Sequence, residues 1–181
     1  MVENQRRFRA HSILKRAFAG CVLGLLLFGC SGDEPKAASA PVVKAPKPVE
    51  SPSPVLKISA GDNMKFNKEL LIVEAGCEAR IELTHTGRMP INKMAHNIVV
   101  IEAETDPFDV AMAAASAKDS DYVPQEYEEQ IIAYTGLVGP GRTVTVDFIA
   151  PDVPGDYPFL CTFPGHFQGG MMGILRVVAV E

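Results

Sequence analysis

Three chemically capable residues, Cys161, His166 and Met171, fall within the run Cys161-Thr162-Phe163-Pro164-Gly165-His166-Phe167-Gln168-Gly169-Gly170-Met171. The run offers a thiol, an imidazole and a thioether. Pro164, Gly165, Gly169 and Gly170 allow a loop to fold all three around one point. With a second imidazole from elsewhere, the set becomes two His and one Cys in a trigonal plane with a long axial Met. That is the donor set of a mononuclear electron-transfer copper site. His96 is the candidate for the distant imidazole; Asn97 and the apolar run Ile98-Val99-Val100-Ile101 follow it.

Taken together, Cys161-Thr162-Phe163-Pro164-Gly165-His166 and the upstream Met94-Ala95-His96-Asn97 resemble the azurin branch of the blue copper proteins. The resemblance runs from about Val55 to Glu181. It implies one type 1 copper ion cycling between cuprous and cupric states, held by His96, Cys161, His166 and Met171. His96 would come from the rigid body and His166 from the surface loop, with Asn97 tying the two ligand segments together. In azurin the Met stands four residues after the loop His, where this chain has Gly170; the five-residue spacing to Met171 resembles plastocyanin and auracyanin. Met172 is the rival thioether, and in an extended segment it would point to the opposite face. Azurin's weak carbonyl contact would fall at Ala95. The resemblance makes His85 a buried non-ligand near the site. Cys77 matches half of azurin's disulfide, but the partner position falls near Pro54, so a reduced thiol is expected; a Cys77–Cys161 disulfide is the rival reading. Ile98 takes the core place of azurin's Trp. Met89, Pro90, Met94, Phe163, Pro164 and Phe167 are expected to ring the edge of His166 as a docking patch.

The elements that must position these residues read as strands. Leu56 and Ile58 alternate with Lys57 and Ser59, and residues 66–73 hold a second apolar segment. Ala79, Ile81, Leu83 and His85 share one face of a strand. His96 opens a fourth strand; Val144, Val146 and Phe148 line a face of another; residues 174–180 form the last. Pro158, lacking a ladder donor, predicts a kink or bulge in the strand leading to Cys161. Short strands separated by turn residues predict an all-β, antiparallel Greek-key sandwich or barrel of about eight strands. One helical flap interrupts them, with Asp106 as its cap, Pro107 at its first position and an alanine-rich body over 110–117.

Composition bounds the remainder. Residues 1–29 carry +4, so with a total of −5 the rest carries −9. An acidic body argues against nucleic acid as a partner. A basic segment over 1–16 and an apolar run over 17–28 read as a secretory signal peptide, too short to span a bilayer. The ending Leu27-Phe28-Gly29-Cys30 resembles a bacterial lipoprotein box. This implies cleavage after residue 29 and a lipid on Cys30, and Ser31 favours outer-membrane sorting. Six of the 24 residues over 31–54 are Pro, so Cys30 and this stretch form a lipidated tether ahead of the domain over 55–181.

The expected function is a lipid-anchored carrier in a bacterial envelope that shuttles single electrons. Its partners would be redox proteins such as c-type cytochromes or copper or haem reductases, docking near His166. A closed ligand set leaves no position for substrate, so an enzyme is not expected. The rivals are a copper storage or delivery protein, to which Met64, Met89, Met94, Met112, Met171 and Met172 lend some support, and a fold used only as an interaction module.

Overall fold

The computed structural model describes residues 53–180. The signal segment, Cys30 and the tether up to residue 52 lie outside the described residues. In chain order come strands β1 (Val55–Ala60), β2 (Leu70–Glu74), β3 (Glu78–His85) and β4 (Val99–Ile101), and helix α1 (Pro107–Ala114). They are followed by β5 (Ile131–Tyr134), β6 (Thr143–Ile149), β7 (Gly155–Leu160) and β8 (Met172–Val178). Two sheets form, in the orders β1-β3-β6 and β2-β8-β7-β4-β5. Among the described residues, the eight strands and the single short α-helix match the expected class. The pairing is mixed rather than purely antiparallel, because β1 runs parallel to β3 and β2 parallel to β8.

Alternation puts Ile58, Ala60, Ala79, Ile81, Leu83 and His85 inward from the small sheet, and Leu71, Val73, Tyr157, Phe159, Leu175 and Val177 inward from the large one. Phe66 meets Phe159 edge-on at 5.4 Å between centroids. Gly173 makes that seat possible, since a Cβ there would lie 2.3 Å from Phe159 Cζ. On the outer faces, Arg80 sits opposite Asp147 and Asp156 opposite Arg176, each pair bonded through two oxygens. Both pairs are exposed, so they favour the register more than they stabilise the fold.

Three local expectations are corrected, and one further strand is found. β4 begins at Val99, not His96; His96 makes only an isolated bridge to Val138. The Ile98 N–H goes to Thr135 Oγ1 at 3.1 Å instead of a ladder. The segment over 66–73 contributes a strand only from Leu70, with Phe66 in a bridge to Ala60. Residues 131–134 form a strand the alternation did not reveal, since Ile131 and Ile132 are adjacent apolar residues. Pro158 neither kinks nor bulges its strand: β7 and β8 pair without interruption from residue 155 to 160. Pairing of β7 with β4 ends at Phe159, so the missing donor falls one residue beyond the β4–β7 ladder, where Ile101 pairs only with β5. The irregularity lies instead between β4 and β5, at Val100/Ile101.

The flap is built as its caps predict. Asp106 Oδ1 accepts the Phe108 N–H at 2.9 Å, Pro107 opens the helix, and Ala115 closes it. Val110 and Ala111 form a second small core with Val99, Ile101, Val123 and Leu160. This fixes the flap beside the end of β7, just before Cys161.

Candidate metal centre

Cys161 directly follows β7, and Met171 directly precedes β8. The loop between them is closed by its own backbone. Cys161 N–H donates to Met171 O (3.1 Å), Met171 N–H to His166 O (3.0 Å), and His166 N–H to Phe163 O (3.1 Å). The three prospective ligand residues of the loop are thus linked to one another through main-chain bonds. Gly165 and Gly170 carry positive φ, 85° and 82°, where side chains other than glycine are strained.

His96 arrives from the opposite side. The ligating atoms of His96, Cys161 and His166 all lie within 4.8 Å of one another. His166 Nδ1 is 3.3 Å from His96 Nδ1 and 3.4 Å from Cys161 Sγ. Ligand bonds of about 2.0–2.3 Å on a single ion place donor atoms roughly 3.3–3.7 Å apart, so these spacings fit one metal ion. His96 Nε2 donates to Gly61 O at 3.1 Å, which fixes the tautomer and leaves Nδ1 with a free lone pair. A thiolate and two imidazoles in a dry pocket suit copper. Cys161 and Met171 are both fully buried within the main core, whereas Met172 is half-buried and packs against the flap core instead.

Burial dominates the electrostatics. It pushes the Cys161 thiol up to about 12, opposed by the backbone N–H groups of Asn97 and Phe163 facing the sulfur. Burial lowers His96 to about 4, aided by His166 and His85. It lowers His166 to about 4, aided by His85. At neutral pH both rings are therefore neutral and ready to ligate, while the thiol must surrender a proton.

His85 lies 4.6 Å from His96 ring to ring, yet both of its nitrogens are taken. Nε2 donates to Met94 O at 2.8 Å, and Nδ1 accepts the Gly87 N–H at 2.9 Å. It stays outside the donor cluster. Asn97 is the hub between the two ligand segments. Its Oδ1 accepts the Thr162 N–H (2.9 Å), and its Nδ2 donates to Thr162 Oγ1 (2.7 Å) and to Asp121 O in the segment after the flap helix (3.0 Å). Cys77 is a free, half-buried thiol against the main core, and Cys161 is also free.

The surface patch differs from expectation in two ways. Met94 is buried rather than on the rim, because its carbonyl serves His85 and its side chain turns inward. His166 is itself only 2% exposed, covered in part by Phe163 at 4.8 Å between rings. Met89, Pro90 and Pro164 are exposed, and Phe163 and Phe167 half-exposed. Sequence reasoning missed Gly61, whose carbonyl orients His96, and Lys65, whose Nζ reaches Gly169 O and Gly170 O. Neither carries a local signal, since each acts across a long sequence separation. Thr162, inside the recognised run, and Asp121 are tied to the site only by partners far away in the chain.

The family described as copper binding proteins, plastocyanin/azurin family, matches residues 53–178. The chain is 40% identical over 112 residues to outer membrane protein H.8 of Neisseria gonorrhoeae, covering 60% of each. It thus spans about 60% of the length of the H.8 relatives it matches. It is 34% identical over 116 residues to azurin of Alcaligenes faecalis, covering 62% of this chain and 90% of the azurin. Among solved structures, dithionite-reduced auracyanin of Roseiflexus castenholzii superposes with a TM-score of 0.62 at 33% identity. The match covers 68% of this chain and 96% of the auracyanin.

Proposed function

Because the chain belongs to the plastocyanin/azurin family of copper-binding proteins, we propose that it is a single-electron carrier using one type 1 copper ion. His96, Cys161, His166 and Met171 are the residues that would hold it. The observation that carries the reading is the convergence of three buried donor atoms within 4.8 Å, supplied by two differently braced pieces of backbone. Copper bound there supplies a reversible one-electron change. The chain's part is to hold the donors so that little need move between the two states. The bridge to Val138 and the Gly61 carbonyl fix His96, the loop hydrogen bonds fix Cys161, His166 and Met171, and Asn97 locks one segment to the other. Four protein donors in a buried site offer no place for substrate, which favours a carrier over an enzyme.

Partners are proposed to be redox proteins, c-type cytochromes or copper or haem reductases among them. They would dock where Met89, Pro90, Phe163, Pro164 and Phe167 surround the edge of His166. Small, weak interfaces suit such encounters. We place the protein in the bacterial envelope, tethered by a lipid on Cys30. The lipoprotein-like sequence around Cys30 supports this, as does the relationship to a protein named for the outer membrane.

The test is a visible absorption spectrum of the full chain loaded with cupric ion, beside Cys161→Ser. An intense thiolate band, present in the parent and abolished in the variant, is expected. Tight binding of cuprous ion with no such band would instead identify a storage or delivery protein.

A further inference from the structure

The loop over 61–66, between β1 and β2, touches the site at two points. Gly61 O receives the His96 Nε2–H at 3.1 Å. Four residues on, Lys65 Nζ donates to Gly169 O at 2.7 Å and Gly170 O at 3.2 Å. These carbonyls belong to the two residues immediately before Met171. Met171's own N–H and C=O are spent on His166 and Cys161, so the peptides Lys65 grips are the remaining handle on that residue. The contact is shaped for it: a Cβ on Gly170 would lie 2.5 Å from Lys65 Nζ. The loop is itself fixed. Ala60 bridges Phe66, Met64 N–H donates to Gly61 O at 3.3 Å, and the Asp62 carboxylate accepts the N–H groups of Arg88 and Met89.

We propose that Lys65 is a positioning residue for the copper site. Its ammonium pins the Gly169–Gly170 peptides, and through them Met171, and as a fixed cation it favours the reduced state. The first part follows from satisfying two adjacent carbonyls with one donor head. The second follows from charge: oxidation adds one positive charge to the centre, and a nearby cation opposes it. The proposal rests on the copper assignment made above.

Four full-length proteins loaded with copper test it: the parent, Lys65→Met, Lys65→Gln and Lys65→Arg. Absorption spectrum, reduction potential and melting temperature are read for each. Lys65→Met should lower the potential and change the relative intensity of the thiolate bands. Lys65→Gln, which keeps a donor without charge, should recover the bands but not the potential. Lys65→Arg should recover both. A Lys65→Met protein matching the parent in bands and potential overturns the proposal. So does a change that Lys65→Arg fails to reverse, because that change would come from the lysine stem and not its charged head. A parent with no thiolate band removes the copper assignment and this inference together, whereas a banded parent with silent variants removes only this one.

Discussion

The segment from Met94 to Ile98 and the loop from Cys161 to Met171 meet at the same buried point, but they are held in different ways. The first is braced from outside itself: Val138 pairs with His96, Thr135 takes the Ile98 N–H, Gly61 orients the imidazole, and Met94 O serves His85. The second is braced mainly from within, through turns closing on Phe163, Gly165, His166 and Phe167, with Lys65 and Asn97 as its outside holds. A ligand fixed by the body of a sandwich is insensitive to any one contact. A ligand on a self-closed loop depends on the few bonds that attach the loop to the body.

Asn97 is the sharpest test of that difference, because it joins the two regions. Replacing it with Leu leaves the Thr162 N–H and hydroxyl without their partner in a buried site, and Asp121 O without one at its part-buried margin. An expected cost of about 2–4 kcal/mol follows, lowering the melting temperature by roughly 10 °C for a domain of this size. Calorimetry of the metal-free protein measures it. A loss under 1 kcal/mol would mean the loop holds itself and the contrast is false.

Acidity strains both regions at once. In the unfolded chain His96 and His166 titrate near 6.5; in the folded metal-free protein each is lowered to about 4. Above 6.5 both states are neutral and nothing changes. Between 6.5 and 4 the unfolded chain binds protons the folded one refuses, so stability falls as pH falls, and the loss levels off below 4. The first ring accounts for about 3 kcal/mol. Copper on Nδ1 blocks that proton, so the loaded protein should hold its stability to lower pH. At neutral pH, loading should release close to one proton per ion, from Cys161 alone. Denaturant titrations across pH and a proton-release measurement on metal addition check both signs.

How far all this was legible in the sequence differs by region in the same way. The loop declared itself, because its donors, its prolines and its glycines are consecutive and their types have few other uses together. His96 is marked by the Asn that follows it, but it does not open a strand: a periodic apolar run cannot say which N–H a distant threonine will take. Edge positions such as Lys57 and Thr145 show their exposure by alternation, whereas β5, with Ile131 beside Ile132, does not. Lys65 and Gly61 were invisible because a lysine and a glycine in a turn look like solvent-facing punctuation until the fold brings residues 61–66 against residue 170.

His85 and His96 offer a comparison within the braced region. Both rings are fully buried, yet only His96 has a nitrogen left over. His85→Phe should strand Met94 O and the Gly87 N–H, costing about 1–3 kcal/mol, while the thiolate band survives. His96→Phe should abolish or grossly change the band. If the two variants gave the same spectrum, the division between ligand and brace would fail.

The smallest effect expected is also the most local to the self-closed loop. Gly165 and Gly170 share nearly the same backbone strain, with φ of 85° and 82°. An alanine costs about 1–2 kcal/mol at either position for the left-handed conformation alone. A Cβ at Gly165 would meet nothing within 4 Å, whereas one at Gly170 meets Lys65 Nζ. The lysine head is flexible and can retreat, so Gly170→Ala should be only a few tenths of a kcal/mol worse than Gly165→Ala in stability. It should differ in kind, however, because a displaced ammonium no longer holds the peptides before Met171. Gly170→Ala should therefore lower the reduction potential in the same direction as Lys65→Met, and Gly165→Ala should leave it near the parent value. Combined with Lys65→Met, Gly170→Ala should produce no further shift, since the contact it disturbs is already gone.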